Sequence, residues 1–319
     1  MRNGYFGIFR SIALVAMIAL AFNLLGGVIL VILYGVNIKA GSPSVIVLVN
    51  SVAQLLMMLG LPIIIARSAH QNYFAAFRLE GMSETRLPVH LLAIPIVTLA
   101  QIVGQGLASL WMIGLSQFPD LYSSLQAFQK TIDDMMNGLT TAHTTSEFVI
   151  LLFGVAVVPA FAEESFFRGF IQTNIERSGK GKSRPIVALL ITSVLFAALH
   201  ASPLEFPGLL AIGLALGWLA YRTCDLRVSA LAHAFNNGAI VVMAFLLKDE
   251  KTVESLTGTN AMPLSDTLSV LAVSIPLLLG LLYIFQRLTE PIEARGNADR
   301  VLAQYELAIM AAEEEIHPL

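Results

Sequence analysis

Glu163 and Glu164 stand side by side in an otherwise apolar stretch, VVPAFAEESFFRGF, with Arg168 one helical turn further on. Ionisable side chains at membrane depth are costly and mark function by default. Every other acidic residue of the chain can be placed outside its apolar runs. Two further runs carry polar residues: His200 follows LFAAL, and His233 precedes Asn237 by four positions. Glu164 and Arg168 are i and i+4, so they share a helix face in the favourable order and should neutralise each other. Glu163 points about 100° away round the helix and lacks that cation, which makes it a candidate general base. His233 and Asn237 share a second face, and Phe196 and His200 a third.

Hydrolysis of an amide needs an activated nucleophile, a stabilised oxyanion and a proton for the leaving amine. Glu163 could take a proton from water, with His200 orienting that water. His233 and Asn237 could donate hydrogen bonds to the tetrahedral oxyanion. No serine nucleophile is required; Ser165 adjoins the glutamates but lacks a GxSxG setting. One glutamate and two histidines (Glu163, His200, His233) could instead hold a catalytic zinc. There is no HExxH, and Asn237 is a poor zinc ligand, so no cofactor is favoured. Alternatively, Glu164 and Arg168 with Glu163 could be a structural ion cluster, and His233 and Asn237 could serve only to join helices. His70, His90, His143 and His317 read as ordinary surface or interfacial residues.

These side chains must be positioned by membrane helices. Of the 319 residues, 56% are hydrophobic and 13% charged, against about 25% charge in soluble domains. A crossing helix needs about 20 apolar residues. The runs give eight expected spans, at 11–36, 43–66, 88–115, 148–172, 185–200, 207–222, 227–247 and 267–287. The fold class is therefore all-α, a polytopic membrane protein. The fifth and sixth spans are short, and the turn between them, marked by His200, Pro203 and Pro207, could lie within protein. The net charge of −3 argues against a nucleic-acid partner. The single cysteine, Cys224, cannot form an intramolecular disulfide.

With a cytoplasmic N-terminus, the cytoplasmic segments hold fourteen of the 19 Lys and Arg residues. The opposite side holds Lys39, Lys130, Lys248 and Lys251, and Arg168 lies inside. That bias places both termini in the cytoplasm. Residues 67–87 read as a short interfacial element. In the connection 117–146, Leu121, Leu125, Phe128, Ile132 and Met135 recur at helical spacing, as in an amphipathic helix on the outer surface. The tail from 291, with Glu313, Glu314 and Glu315, reads as a solvated helix without chemistry. The chain divides into N-terminal helices (1–146), a core carrying the polar set (147–247), and a last span with its tail (248–319).

Glu163-Glu164-Ser-Phe-Phe-Arg168, Phe196-Ala-Ala-Leu-His200 and His233-Ala-Phe-Asn-Asn237 match, in order and spacing, the EExxxR, FxxxH and HxxxN motifs of one family. The chain thus resembles the CAAX-protease-and-bacteriocin-processing family, also called the abortive-infection family of intramembrane proteases, over residues 147–245. The resemblance implies about eight helices around an intramembrane cavity open to the cytoplasm. It implies Glu163 activating water beside His200, His233 and Asn237 at the oxyanion, and a membrane-associated protein or peptide as substrate. Compactness and the lack of targeting signals favour a bacterial plasma membrane; oligomeric state is not legible. Two other classes compete: a proton-coupled transporter using Glu163 and the histidines as a relay, and a non-catalytic immunity or binding protein.

A geometric condition attaches to the catalytic reading. At ~1.5 Å per residue, Glu163 lies roughly 21 Å from Arg177 and His200 roughly 24 Å from Arg184, but His233 only about 9 Å from Arg227. Helix extensions, tilt or a deep cavity must bring the three levels together.

Overall fold

The computed structural model describes residues 4–35, 42–83, 85–140, 142, 144–178, 184–247 and 261–289, and among them it is all-helical. The tail with Glu313, Glu314 and Glu315, the residues His143 and His317, and the basic residues Arg2, Lys39, Lys180, Lys182, Lys248, Lys251, Arg295 and Arg300 lie outside this set, as does the side chain of Met135.

Among the described residues, six helices are long and apolar enough to cross a membrane: α1 (Ile8–Tyr34), α2 (Pro43–Ser68), α3 (Leu87–Leu115), α5 (Thr145–Arg177), α8 (Leu226–Leu247) and α9 (Leu264–Thr289). Between α3 and α5 lies α4 (Pro119–Thr140). The two remaining expected spans are helices in the expected places, α6 (Arg184–Leu199) and α7 (Phe206–Thr223), but they are short, at 16 and 18 residues. The protein is an integral, multi-pass membrane protein, and α7 sits among α3, α6 and α8. That shelter explains how α7 accommodates Arg222, which is buried and donates to Gln286 O at 2.9 Å.

Local sequence explains the helix ends. Proline opens α2 and stands second in α3 and α7, where its missing N–H has no intrahelical partner to lose. A capping box, Thr144 with Glu147, opens α5. Close packing rests on small residues, as expected between membrane helices. At the α3–α7 crossing, a Cβ on Gly104 would stand 2.9 Å from the backbone of Gly208.

Three of the long elements' turns widen to π geometry: Leu55–Gly60 in α2, and Leu152–Val157 and Ser165–Ile171 in α5. Such turns are rare and recur at functional sites. The last follows Glu164 and contains Arg168, and Val155 O of the second faces Asn237.

Two of the four apolar clusters among the described residues frame the motif helices. One gathers Val15, Ile18, Met58, Phe77, Phe166, Phe170 and Phe196 from α1, α2, α5 and α6. The other gathers Ile96, Val97, Leu216, Leu219, Val228 and Phe285 from α3, α7, α8 and α9. Ala162 and Phe166 of the first cluster flank Glu164 in sequence, and Ala232 of the second adjoins His233.

Two connecting segments differ from expectation. The stretch following α2 does not simply rest at the interface. It folds into the bundle end, burying Gln71, Ala76, Phe77 and Arg78. Arg78 is inside because its charge and donors are satisfied: Nη2 meets Glu176 Oε2 at 2.5 Å and Nε donates to Arg168 O at 2.9 Å. In α4 the expected stripe splits. Leu125, with Tyr122, packs on Met112 and Leu204, whereas Leu121 and Phe128 are exposed and Ile132 is half-buried. The buried Gln129 of α4 accepts a hydrogen bond from Ser202 at 2.8 Å. With Trp111 Nε1 donating to Pro203 O at 3.0 Å, this covers part of the α6–α7 turn with protein, while His200 and Ala201 stay exposed.

Candidate active site

The three motif helices meet. Glu164, fully buried, accepts from Arg168 Nη1 at 2.8 Å and from His233 Nδ1 at 3.1 Å, both through Oε1. The i, i+4 pairing read from sequence is therefore present, and it extends to a second helix. A carboxylate facing Nδ1 assigns the imidazole proton to that nitrogen. Nε2 then holds a lone pair, and Asn237 Nδ2 stands 3.3 Å from it. The same amide nitrogen lies 3.4 Å from Val155 O, in a π-turn of α5. Both contacts are long for hydrogen bonds.

Arg168 is held on all sides. Its Nη2 donates to Gly213 O of α7 at 3.3 Å, and its Cζ lies 4.3 Å from the centroid of the Phe196 ring. That cation–π contact is the favourable kind for a desolvated guanidinium. Phe196 is a hub: its ring also meets His200 at 4.6 Å and His233 at 6.0 Å. The phenylalanine of the FxxxH pattern thus links the arginine, both histidines and the α6 backbone.

His200 ends α6, where its Nδ1 lies 2.8 Å from Phe196 O. A carbonyl partner makes Nδ1 the donor. Nε2 is then left as an acceptor on an exposed ring. Glu163 is half-buried and accepts from Gln54 Nε2 of α2 at 2.9 Å. It is not left unpartnered, as the sequence reading has it; its partner is a neutral amide rather than a cation. No hydrogen bond joins Glu163 directly to His200, His233 or Asn237 among the described residues. The structure therefore bonds Glu164, Arg168, His233 and Asn237 into one chain and leaves Glu163 and His200 as less buried flanking groups.

Beyond the motif glutamates, α5 extends into a part covered by protein. Its last turns, Gln172–Ile175, are buried in protein. Asn174 there accepts from Phe6 N at 2.9 Å and from Gln71 Nε2 at 2.8 Å. Arg78 bridges the step to α8: Nε reaches Arg168 O, and its own carbonyl accepts from Leu226 N at 2.9 Å. Along α8, Leu226 to His233 rises about 10.5 Å; along α5, Glu164 to Arg168 rises about 6 Å.

Both ring nitrogens of His233 face partners, and among the described residues no three His, Cys, Asp or Glu side chains converge as metal ligands.

Two contributors escape a motif-based reading. Gln54 is a polar side chain inside an apolar run, the same signal that marks His233 and Asn237. Arg78 gives no such signal, since it reads as one of many basic residues at span ends.

The buried centre of the helical bundle thus joins the EExxxR, FxxxH and HxxxN elements. Residues 145–239 match the family model described as type II CAAX prenyl endopeptidase Rce1-like, in agreement with the resemblance carried by the motifs. That match supports an intramembrane protease and leaves 1–144 and 240–319 uncovered. No curated protein matches the chain, and no solved structure does.

Proposed function

We propose that this protein is an intramembrane endopeptidase that cleaves a peptide bond of a membrane-associated protein or peptide, with Glu163 activating water. The observation that carries this reading is the Arg168–Glu164–His233–Asn237 chain, which joins two polar motifs of the matched domain inside an apolar bundle.

In this mechanism Glu163 removes a proton from water, and the oxygen of that water bonds to the carbonyl carbon as the C=O electron pair moves onto oxygen. His200 Nε2 accepts from the same water and fixes its approach. The oxyanion takes N–H donation from Asn237, exchanging for the long contacts to Val155 O and His233. Catalytic hydrogen bonds are often long before substrate arrives and tighten afterwards. His233 supplies a second donor when Nε2 is protonated, with Glu164 balancing that charge. The C–N bond then breaks, and the proton on Glu163 passes to the leaving amine. Glu164 and Arg168 touch no reacting atom; they hold His233. No step passes through a metal. The positive-inside bias supports both termini cytoplasmic.

The test compares new peptide termini in membranes expressing wild type or Glu163→Gln at matched levels. Termini specific to wild type support the reading and supply substrates for the purified protein. Purified wild type that cleaves none of them, or Glu163→Gln that cleaves them equally, overturns it in favour of transport or binding.

A further inference from the structure

We infer that Gln54 is a positioning residue for the Glu163 carboxylate, so that the proposed active site extends to α2, outside the matched domain. This inference rests on the proteolytic reading for its functional part. The contact itself is direct: Gln54 Nε2 donates to Glu163 Oε1 at 2.9 Å. Gln54 lies in the run NSVAQLLMMLG, and a polar amide at that depth is uncommon without a partner. It is the last residue of α2 before the π-turn Leu55–Gly60. Glu163 lies in the α-helical piece Val158–Glu164, between the two π-turns of α5. Gln54 therefore connects the wound segment of one interrupted helix to that of another.

The chemistry of the partner gives the role. The two adjacent glutamates differ in what they are bonded to. Arg168 pairs with Glu164, which orients His233. Gln54 offers Glu163 a hydrogen bond without a neutralising charge. Oε1 is thereby fixed, while among the described residues Oε2 makes no hydrogen bond. A glutamate side chain with three rotatable bonds needs such a tether to present one oxygen in one direction.

The experiment uses the full-length protein in bicelles with Gln54→Met, which keeps length and removes the donor, and Gln54→Leu as a second variant. Two readouts are taken: kcat and KM on a substrate found by the terminus comparison, and the infrared carboxylate band of Glu163, identified by its absence in Glu163→Gln. The expected result is a kcat loss on the order of 10²-fold, an unchanged KM, an unchanged melting midpoint and a displaced carboxylate band. Unchanged kcat in either folded variant overturns the inference, as does a band at the wild-type frequency. A loss confined to melting midpoint and folded yield also overturns it, since that is the signature of a packing role. If wild type and Glu163→Gln release the same termini, the proteolytic reading falls, and the band alone decides whether Gln54 holds Glu163.

Discussion

His233 Nδ1 lies 3.1 Å from Glu164 Oε1, the same oxygen that accepts from Arg168 at 2.8 Å. One buried atom thus carries both the ion pair within α5 and the link to α8. The adjacent glutamate, bonded to Gln54 instead, has no part in that junction.

Glu163→Gln and Glu164→Gln should therefore fail differently. Glu163→Gln should fold with a wild-type melting midpoint and lose cleavage by at least ~10²-fold. Glu164→Gln leaves the buried Arg168 without its counter-charge, a loss of about 3–5 kcal/mol. Thermal unfolding in detergent and peptide cleavage, measured on both proteins, separates the two. Equal melting midpoints would contradict the assignment of Glu164 as the structural partner.

Asn237→Ala removes the amide that faces both Val155 O and His233. If that amide serves the oxyanion, kcat should fall by roughly 10²–10³-fold with little change in KM. A change confined to KM would reassign Asn237 to substrate binding.

Arg78→Met removes the guanidinium that pairs with Glu176 and the donor to Arg168 O, so the melting midpoint should drop. Removing both charges with Arg78→Met and Glu176→Gln should recover part of the loss, because breaking a buried pair on one side costs more than replacing both members. A double-mutant cycle on melting free energies measures the coupling. Simple additivity would show that the two side chains do not act together.

Gly104→Ala places a methyl group against the Gly208 backbone and should cost about 1–3 kcal/mol. Gly114→Ala, on the same helix with open space around it, should be neutral or stabilising by roughly 0.5–1 kcal/mol. Equilibrium unfolding of the two variants gives the comparison.

A chelator should leave cleavage unchanged, and added zinc should not raise it. Loss of activity on chelation with recovery on zinc would require His233 to give up at least one of its two contacts.

The helical architecture was largely legible, because long apolar runs are dictated by the bilayer. The i, i+4 pairs were legible for the same local reason: Glu164 with Arg168, and His233 with Asn237, need only helix periodicity. What sequence could not supply was the partner across helices. Glu163 reads as unpartnered because Gln54 is more than a hundred residues away. Arg78 reads as a loop cation because its burial depends on Glu176 and on a carbonyl of α5. The six-versus-eight difference in membrane-length helices has a similar origin. α7 is sheltered by α3, α6 and α8, so its length and composition are released from the demands of lipid.

The π-turn at Ser165–Ile171 makes α5 a helix in two phases. Residues before it aim Glu163 and Glu164; residues after it aim Gln172, Asn174 and Glu176 at Gly217 O, Gln71 and Arg78. Deleting one residue within the turn would rotate the second phase by about 100° against the first and detach one set of partners while the other stayed seated. The angular offset between the halves is thus itself a coordinate of the site, and length in this stretch is constrained as tightly as residue identity.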